Sequence, residues 1–267
     1  MRKISIGQAW TESLAFLGAE GRIVWAVALA LIALPAALIE SVAPSAGAAA
    51  SPPIWLSLLN FVLTLVMLVG QLALTRLALR PGESAGGALA LASRRIWPLF
   101  GAMLLVIAPA VVILSILLVA LVGATPSPQA LATNPASALV LFVTVVLFVW
   151  FGARVIMITP TAMNERGGPV VLLRRAFALS RGNLLRILAF LLLFGATVLV
   201  SLYVVTGIVA PAIGLLLGPV TSLSPAALVG GLLVGLVQMG VAVINGVMTA
   251  RLYAQANATA GDSWGAA

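Results

Sequence analysis

The sequence predicts an all-α integral membrane protein with six transmembrane helices, arranged as three parallel repeats of an interfacial helix followed by a transmembrane hairpin. Three observations predict it. Hydrophobic residues fill 63% of the 267 positions and charged residues only 7%, where soluble domains average about 25% charged. Six uncharged runs come close to or exceed the ~20 residues that cross a ~30 Å hydrocarbon layer. The basic residues fall only on alternate connections, which places all the positive charge on one side of that layer.

The elements follow in chain order within a single membrane domain, residues 1–257. Ile6, Trp10, Leu14 and Leu17 recur at helical spacing, with Gln8, Glu12 and Glu20 largely off the stripe, so an interfacial helix is expected near 5–18. The first span follows near 23–39. Residues 4–21 are too long and too polar for the compact leader that the basic start MRK and the small residues at 45–50 would otherwise suggest, so this span is expected to be retained. The second span lies near 54–75 and ends in LTRLAL. The segment SAGGALALASRR supplies a second interfacial helix near 84–94, ahead of a third span near 96–123.

A fourth span near 138–158 carries GARVIM at its end. The third interfacial helix is expected near 169–181, with Leu172, Leu173, Ala176, Phe177 and Leu179 on one arc and Arg174, Arg175 and Arg181 on the other. Pro169 suits a first helical turn, and Gly182 with Asn183 suits a helix end. The fifth span lies near 185–208 and is expected to bend or stop at Pro211. The sixth lies near 226–250 and ends in TARLYA, leaving 258–267 as a short cytoplasmic tail.

Orientation follows from charge. All fourteen Lys and Arg residues sit at the N-terminus, on the connections after the second and fourth spans, or at the end of the sixth. Since basic residues stay on the cytoplasmic side, both termini are expected there, in a multi-pass protein of a bacterial inner membrane. The same segregation removes a nucleic-acid binder from consideration, since such a protein has no spans dividing its charge from an uncharged face.

Composition also narrows the chemistry. The chain has no Cys and no His, and its acids Glu12, Glu20, Glu40, Glu83, Glu165 and Asp262 are scattered without ligand spacing. Thiolate and imidazole metal sites, thiol catalysis and disulfides are therefore excluded. No metal, cofactor or catalytic residue is assigned, and an enzyme is not expected.

The repeat rests on Arg76, Arg154 and Arg251, which close the even-numbered spans 78 and 97 residues apart, and on Pro35 and Pro109 at comparable depths in spans one and three. Asn60, Thr64 and Gln71 share one face of span two, while span six carries Gln238 and Asn245. These polar groups suit interhelical hydrogen bonds. Gly231 and Gly235, then Ala242, Gly246 and Ala250, form rows of small residues that predict close helix contact. Glu40 is the one carboxylate at the far end of a span.

Candidate headgroup or partner contacts are Arg154, Glu165, Arg174, Arg175, Arg181 and Arg186. Arg154 lies nearest hydrocarbon and must snorkel or find a partner, Glu165 being the nearest acid in sequence. The alternative for every arginine is a topological role alone.

The run ARVIMITP, then NERGGP, then LLRRAFALSRGNLLRI resembles the membrane-domain family of glycerophosphoryl diester phosphodiesterases and the related YciC-like bacterial inner-membrane proteins. The matching positions are Arg154, Pro160, Glu165, Gly168, Arg175, Leu179 and Gly182, over about forty residues. The chain departs at Ala176, where the family often has Ser, which weakens a hydroxyl-dependent role. The resemblance places phosphodiester hydrolysis on a separate soluble barrel with carboxylates and His, so it does not imply that activity for this chain.

The expectation is a non-enzymatic accessory or scaffold protein in lipid or envelope processes, with an arginine belt for anionic membrane lipids or for an unidentified membrane or cytoplasmic protein. The alternative is a small transporter or flippase, which would have a polar cavity lined by Asn60, Gln71, Gln238 or Asn245.

Overall fold

A computed structural model describes residues 4–42, 53–122, 135–165 and 167–264. The connections read at 43–52 and 123–134, together with Arg2, Lys3 and Arg166, lie outside the described residues. Six helices are long and apolar enough to cross a membrane, and no strand occurs among the described residues.

The first rod joins α1 (Ile6–Ala28), a wide π-turn segment (Leu29–Ala33) and α2 (Leu34–Val42). Then come α3 (Ile54–Leu79), α4 (Ala85–Val122), α5 (Pro135–Val155), the short α6 (Ile158–Asn164) and α7 (Pro169–Ser180). The fifth rod is α8 (Leu184–Tyr203), a second π-turn segment (Val204–Val209) and α9 (Ala210–Leu217); α10 (Pro225–Trp264) is last.

Two of the three expected interfacial helices are not separate elements. Residues 5–18 run unbroken into the first span, and the face that docks on protein is Ala9, Ser13 and Phe16, with Ser13 Oγ reaching Met248 Sδ of α10 at 3.3 Å, while Trp10 and Leu14 of the expected stripe stay exposed. Residues 84–94 likewise form the opening turns of α4, with Ala88 and Ala92 fully buried. Only α7 stands apart. Gly182 follows it at φ +81°, a left-handed conformation that turns the chain before α8. Nor is the end of the chain a plain tail, since α10 continues to Trp264.

The fifth span does not stop at Pro211 but continues through it behind a local widening. Pro35 and Pro211 each follow a π-turn segment, Leu29–Ala33 and Val204–Val209. Proline cannot donate to the helix ladder, and its ring crowds the carbonyl four residues back. A wider turn holding Leu31 and Gly207 at those positions accommodates the ring without ending the helix. This feature pairs spans one and five, whereas the sequence had paired Pro35 with Pro109.

Helix α10 packs most extensively on the first rod and on α3. Its small residues permit this approach. A Cβ on Gly235 would collide with the Ala33 carbonyl oxygen, and one on Gly231 would lie 2.7 Å from that of Ala37. Gly246 faces Gln71, Leu74 and Thr75 of α3 less tightly, a Cβ there meeting them at 3.4–3.6 Å.

The buried core lies at the arginine-bearing end of the bundle. It gathers the start of α1, the end of α3, the start of α4, α6, α7 and the stretch of α10 from Val243 to Ala256. Toward the other end, spans three, four and five are thinly packed. Only 11% of the most apolar window of each is buried, against 39%, 28% and 22% in spans one, two and six.

Candidate functional site at the arginine-bearing end

The site begins with how α6 and α7 are held. Arg76, closing α3, pairs through Nε with Glu83 Oε2 at 2.7 Å and donates from Nη1 to the Met163 carbonyl at 3.0 Å. One side chain thereby ties the turn before α4 to the last turn of α6, satisfying a carbonyl that the helix leaves open. Beyond it, Asn164 Nδ2 donates to Tyr253 Oη at 3.1 Å, and that hydroxyl donates to Glu165 Oε1 at 2.8 Å.

Arg175 completes the cluster. Its Nε donates to the same Glu165 oxygen at 3.0 Å, and its Nη2 donates to Asn257 Oδ1 at 2.9 Å. Helix α7 is thus clamped to α10 by a five-residue network, with Tyr253 only 1% exposed at its centre. Leu172, Ala176 and Leu179 of α7 are buried against the bundle. The apolar arc of α7 therefore packs on protein, not into the acyl boundary as its sequence suggested.

A second cluster fixes the N-terminal segment. Asn183 Oδ1 accepts from Ile4 N at 3.3 Å, and Arg186 Nη1 donates to the Ile4 carbonyl at 2.9 Å. Gln255 Oε1 accepts from Ser5 N at 2.9 Å. Ile4 itself is buried. Arg186 is consequently an internal fastener, as is Arg175.

The six predicted contact residues separate by environment. Glu165 pairs with Arg175 and not with Arg154, because the turn into α7 brings Arg175 to it while α5 keeps Arg154 apart. Arg174 and Arg181 are exposed, and their side chains make no hydrogen bond or ion pair among the described residues. Arg154 lies with its guanidinium carbon 5.4 Å from the Trp150 ring centroid, and its Nε is buried without a hydrogen-bond partner. Such a cation over an indole face gains about 0.5–2 kcal/mol. Arg251 is arranged similarly over Phe16, at 5.3 Å.

Sequence reasoning missed Asn164, Tyr253 and Asn257 as members of the clamp. The signal available was RLYAQANA at 251–258, where a tyrosine and two amides interrupt an apolar helix. Of the intramembrane polar groups, Gln71 joins two helices, its Nε2 donating to the Ala242 carbonyl at 3.3 Å; Thr64 Oγ1 bonds within α3 to the Asn60 carbonyl at 2.7 Å, and Asn60 Oδ1 is buried without a hydrogen-bond partner among the described residues.

A cavity of about 140 Å³ opens near the opposite end, between α2, the second π-turn segment, α9 and α10. Glu40, Thr206, Val209 and Gly231 are among its lining residues, and none of Asn60, Gln71, Gln238 or Asn245 lines it. Among the described residues no three His, Cys, Asp or Glu side chains come together as a metal site would need.

Comparison of the chain with protein-family models, curated proteins and solved structures finds no match. The chemistry of the site therefore rests on its own groups. Arginines present planar N–H donors suited to phosphate and carboxylate oxygens; of the exposed ones, Arg174 stands on α7 and Arg181 directly follows its last turn.

Proposed function

We propose that this chain is a non-enzymatic multi-pass protein of a bacterial inner membrane, with both termini cytoplasmic, acting as an accessory or scaffold that holds anionic lipid headgroups. The observation that carries the reading is the division of labour among the arginines on and just after α7. Arg175 locks the helix through Glu165 and Asn257, while Arg174 and Arg181 remain exposed and unpaired. Unpaired guanidiniums beside a helix fastened to the bundle, at a membrane surface, suit anionic headgroups, each arginine contributing about 1 kcal/mol. The resemblance of residues 153–187 to the glycerophosphoryl diester phosphodiesterase membrane-domain family belongs to this proposal, as does the three-repeat organisation.

The test is mass spectrometry of lipids copurifying with the native protein and with the double variant Arg174→Gln, Arg181→Gln. Loss of phosphatidylglycerol or cardiolipin enrichment at unchanged thermal stability supports the reading. An identical lipid profile leaves those arginines as topology signals and defeats it.

A second reading, a small transporter, has the Glu40 cavity in its favour, since its walls include the widened turn before Pro211. Proton-coupled flux in proteoliposomes that vanishes in Glu40→Gln would favour transport over the scaffold reading.

A further inference from the structure

Val143, Leu147, Trp150 and Arg154 are spaced at i, i+4, i+7 and i+11, so they share one face of α5. The first three are 38%, 49% and 41% exposed. From Val143 to Arg154 the helix rises about 16 Å, close to the ~15 Å depth of one hydrocarbon leaflet. Gly152 lies roughly 200° around the helix from Arg154 and faces Leu191 of α8, so the stripe points away from that neighbour. Phe151, on a third side, meets the Phe177 ring of α7 at 6.0 Å.

We propose that this stripe binds one anionic phospholipid of the arginine-bearing leaflet, with an acyl chain along Val143, Leu147 and Trp150 and its phosphate on the guanidinium of Arg154. The proposal rests on the headgroup-holding reading above and gives it a discrete site. Charge complementarity selects the occupant. Arg154 makes no hydrogen bond to protein, and its Nε is buried unpaired, yet its side chain as a whole is partly exposed. Trp150 lies against the guanidinium on one side, and a guanidinium's planar N–H fork suits an acceptor such as a phosphate. An uncharged partner helix would cover the apolar stripe but leave this cation unmatched. A soluble anion would match the cation but leave the stripe bare.

The occupant differs from lipid at the exposed arginines Arg174 and Arg181. Among the described residues no aromatic ring lies over either guanidinium, and they attract headgroups diffusely. Arg154 holds head and tail together.

The experiment reconstitutes the full chain in nanodiscs of equal parts phosphatidylglycerol and phosphatidylcholine, then counts phosphatidylglycerol retained on ejection in native mass spectrometry. Arg154→Gln is expected to lower occupancy of the most tightly held phosphatidylglycerol about five-fold, the factor given by ~1 kcal/mol per arginine. Arg154→Lys should recover only part of it, because an ammonium lacks the fork. Leu147→Asn leaves the arginine and should also lower retention by disturbing the acyl contact. Retention unchanged in Arg154→Gln, but lost in the Arg174→Gln, Arg181→Gln variant, overturns the site and leaves the headgroup-holding reading intact. Retention unchanged in both variants overturns both. Should Arg154→Gln fail to fold, Leu147→Asn decides alone, and unchanged retention there overturns the site.

Discussion

Arg175 and Glu165 stand ten positions apart in the chain and meet at 3.0 Å, each also bonded to a residue of α10. Their side chains are 34% and 29% exposed, between a surface pair and a buried one. Glu165→Gln should therefore cost about 1–3 kcal/mol, more than an exposed pair and less than a buried one. Thermal unfolding in detergent would measure it. A double-mutant cycle with Tyr253→Phe should show non-additivity, since both groups act on one carboxylate.

The glycines of α10 divide into two kinds. A Cβ on Gly235 has no room beside Ala33, whereas one on Gly240 meets nothing within 4 Å. Gly235→Ala should destabilise by about 1–3 kcal/mol through forced separation of the helices. Gly240→Ala should be neutral or stabilising by up to ~1 kcal/mol through helix propensity. Parallel melting curves would compare them.

The turn between α7 and α8 gives a backbone contrast. Gly182 has φ +81°, while Gly168 has φ −79° with open space where a Cβ would go. Gly182→Ala should cost about 1–2 kcal/mol, the left-handed penalty. Gly168→Ala should not destabilise. Limited proteolysis at the α7–α8 turn would report the difference.

Salt should separate the two kinds of lipid contact. Raising ionic strength from about 0.1 M to about 1 M shortens the screening length from about 10 Å to about 3 Å. Headgroup enrichment through exposed Arg174 and Arg181 should fall, while the most tightly held phosphatidylglycerol at Arg154, partly enclosed and anchored by its chain, should persist. Native mass spectra of protein washed at the two ionic strengths and then exchanged into one volatile buffer would check both.

The six spans were legible because uncharged runs of bilayer length have few other uses, and the close approach of Gly231 and Gly235 was legible because small residues recur every four positions. Helix starts were harder to read. Gln8 and Glu12 are as acceptable in a protruding helical turn as in an interfacial helix, and only the docking of Phe16 and Ser13 on α10 decides between them. At the site, nearness in sequence suggested Glu165 for Arg154. The fold gives that carboxylate to Arg175 and Tyr253, and the latter lies 88 positions away. Pairings of that kind depend on which helix ends converge, which no local pattern encodes.

The fastening of Ser5 to Gln255, 250 positions apart, has a consequence for biosynthesis. During synthesis α1 and α3 enter the bilayer long before α10 exists, so the seat for the glycine row stays filled by lipid and the Gln71 amide awaits its Ala242 carbonyl. Closure of so non-local a contact comes late and slowly. The nascent chain therefore passes through a stage with five inserted spans and an open seam, and the last helix acts as the keystone whose arrival converts separate spans into one body.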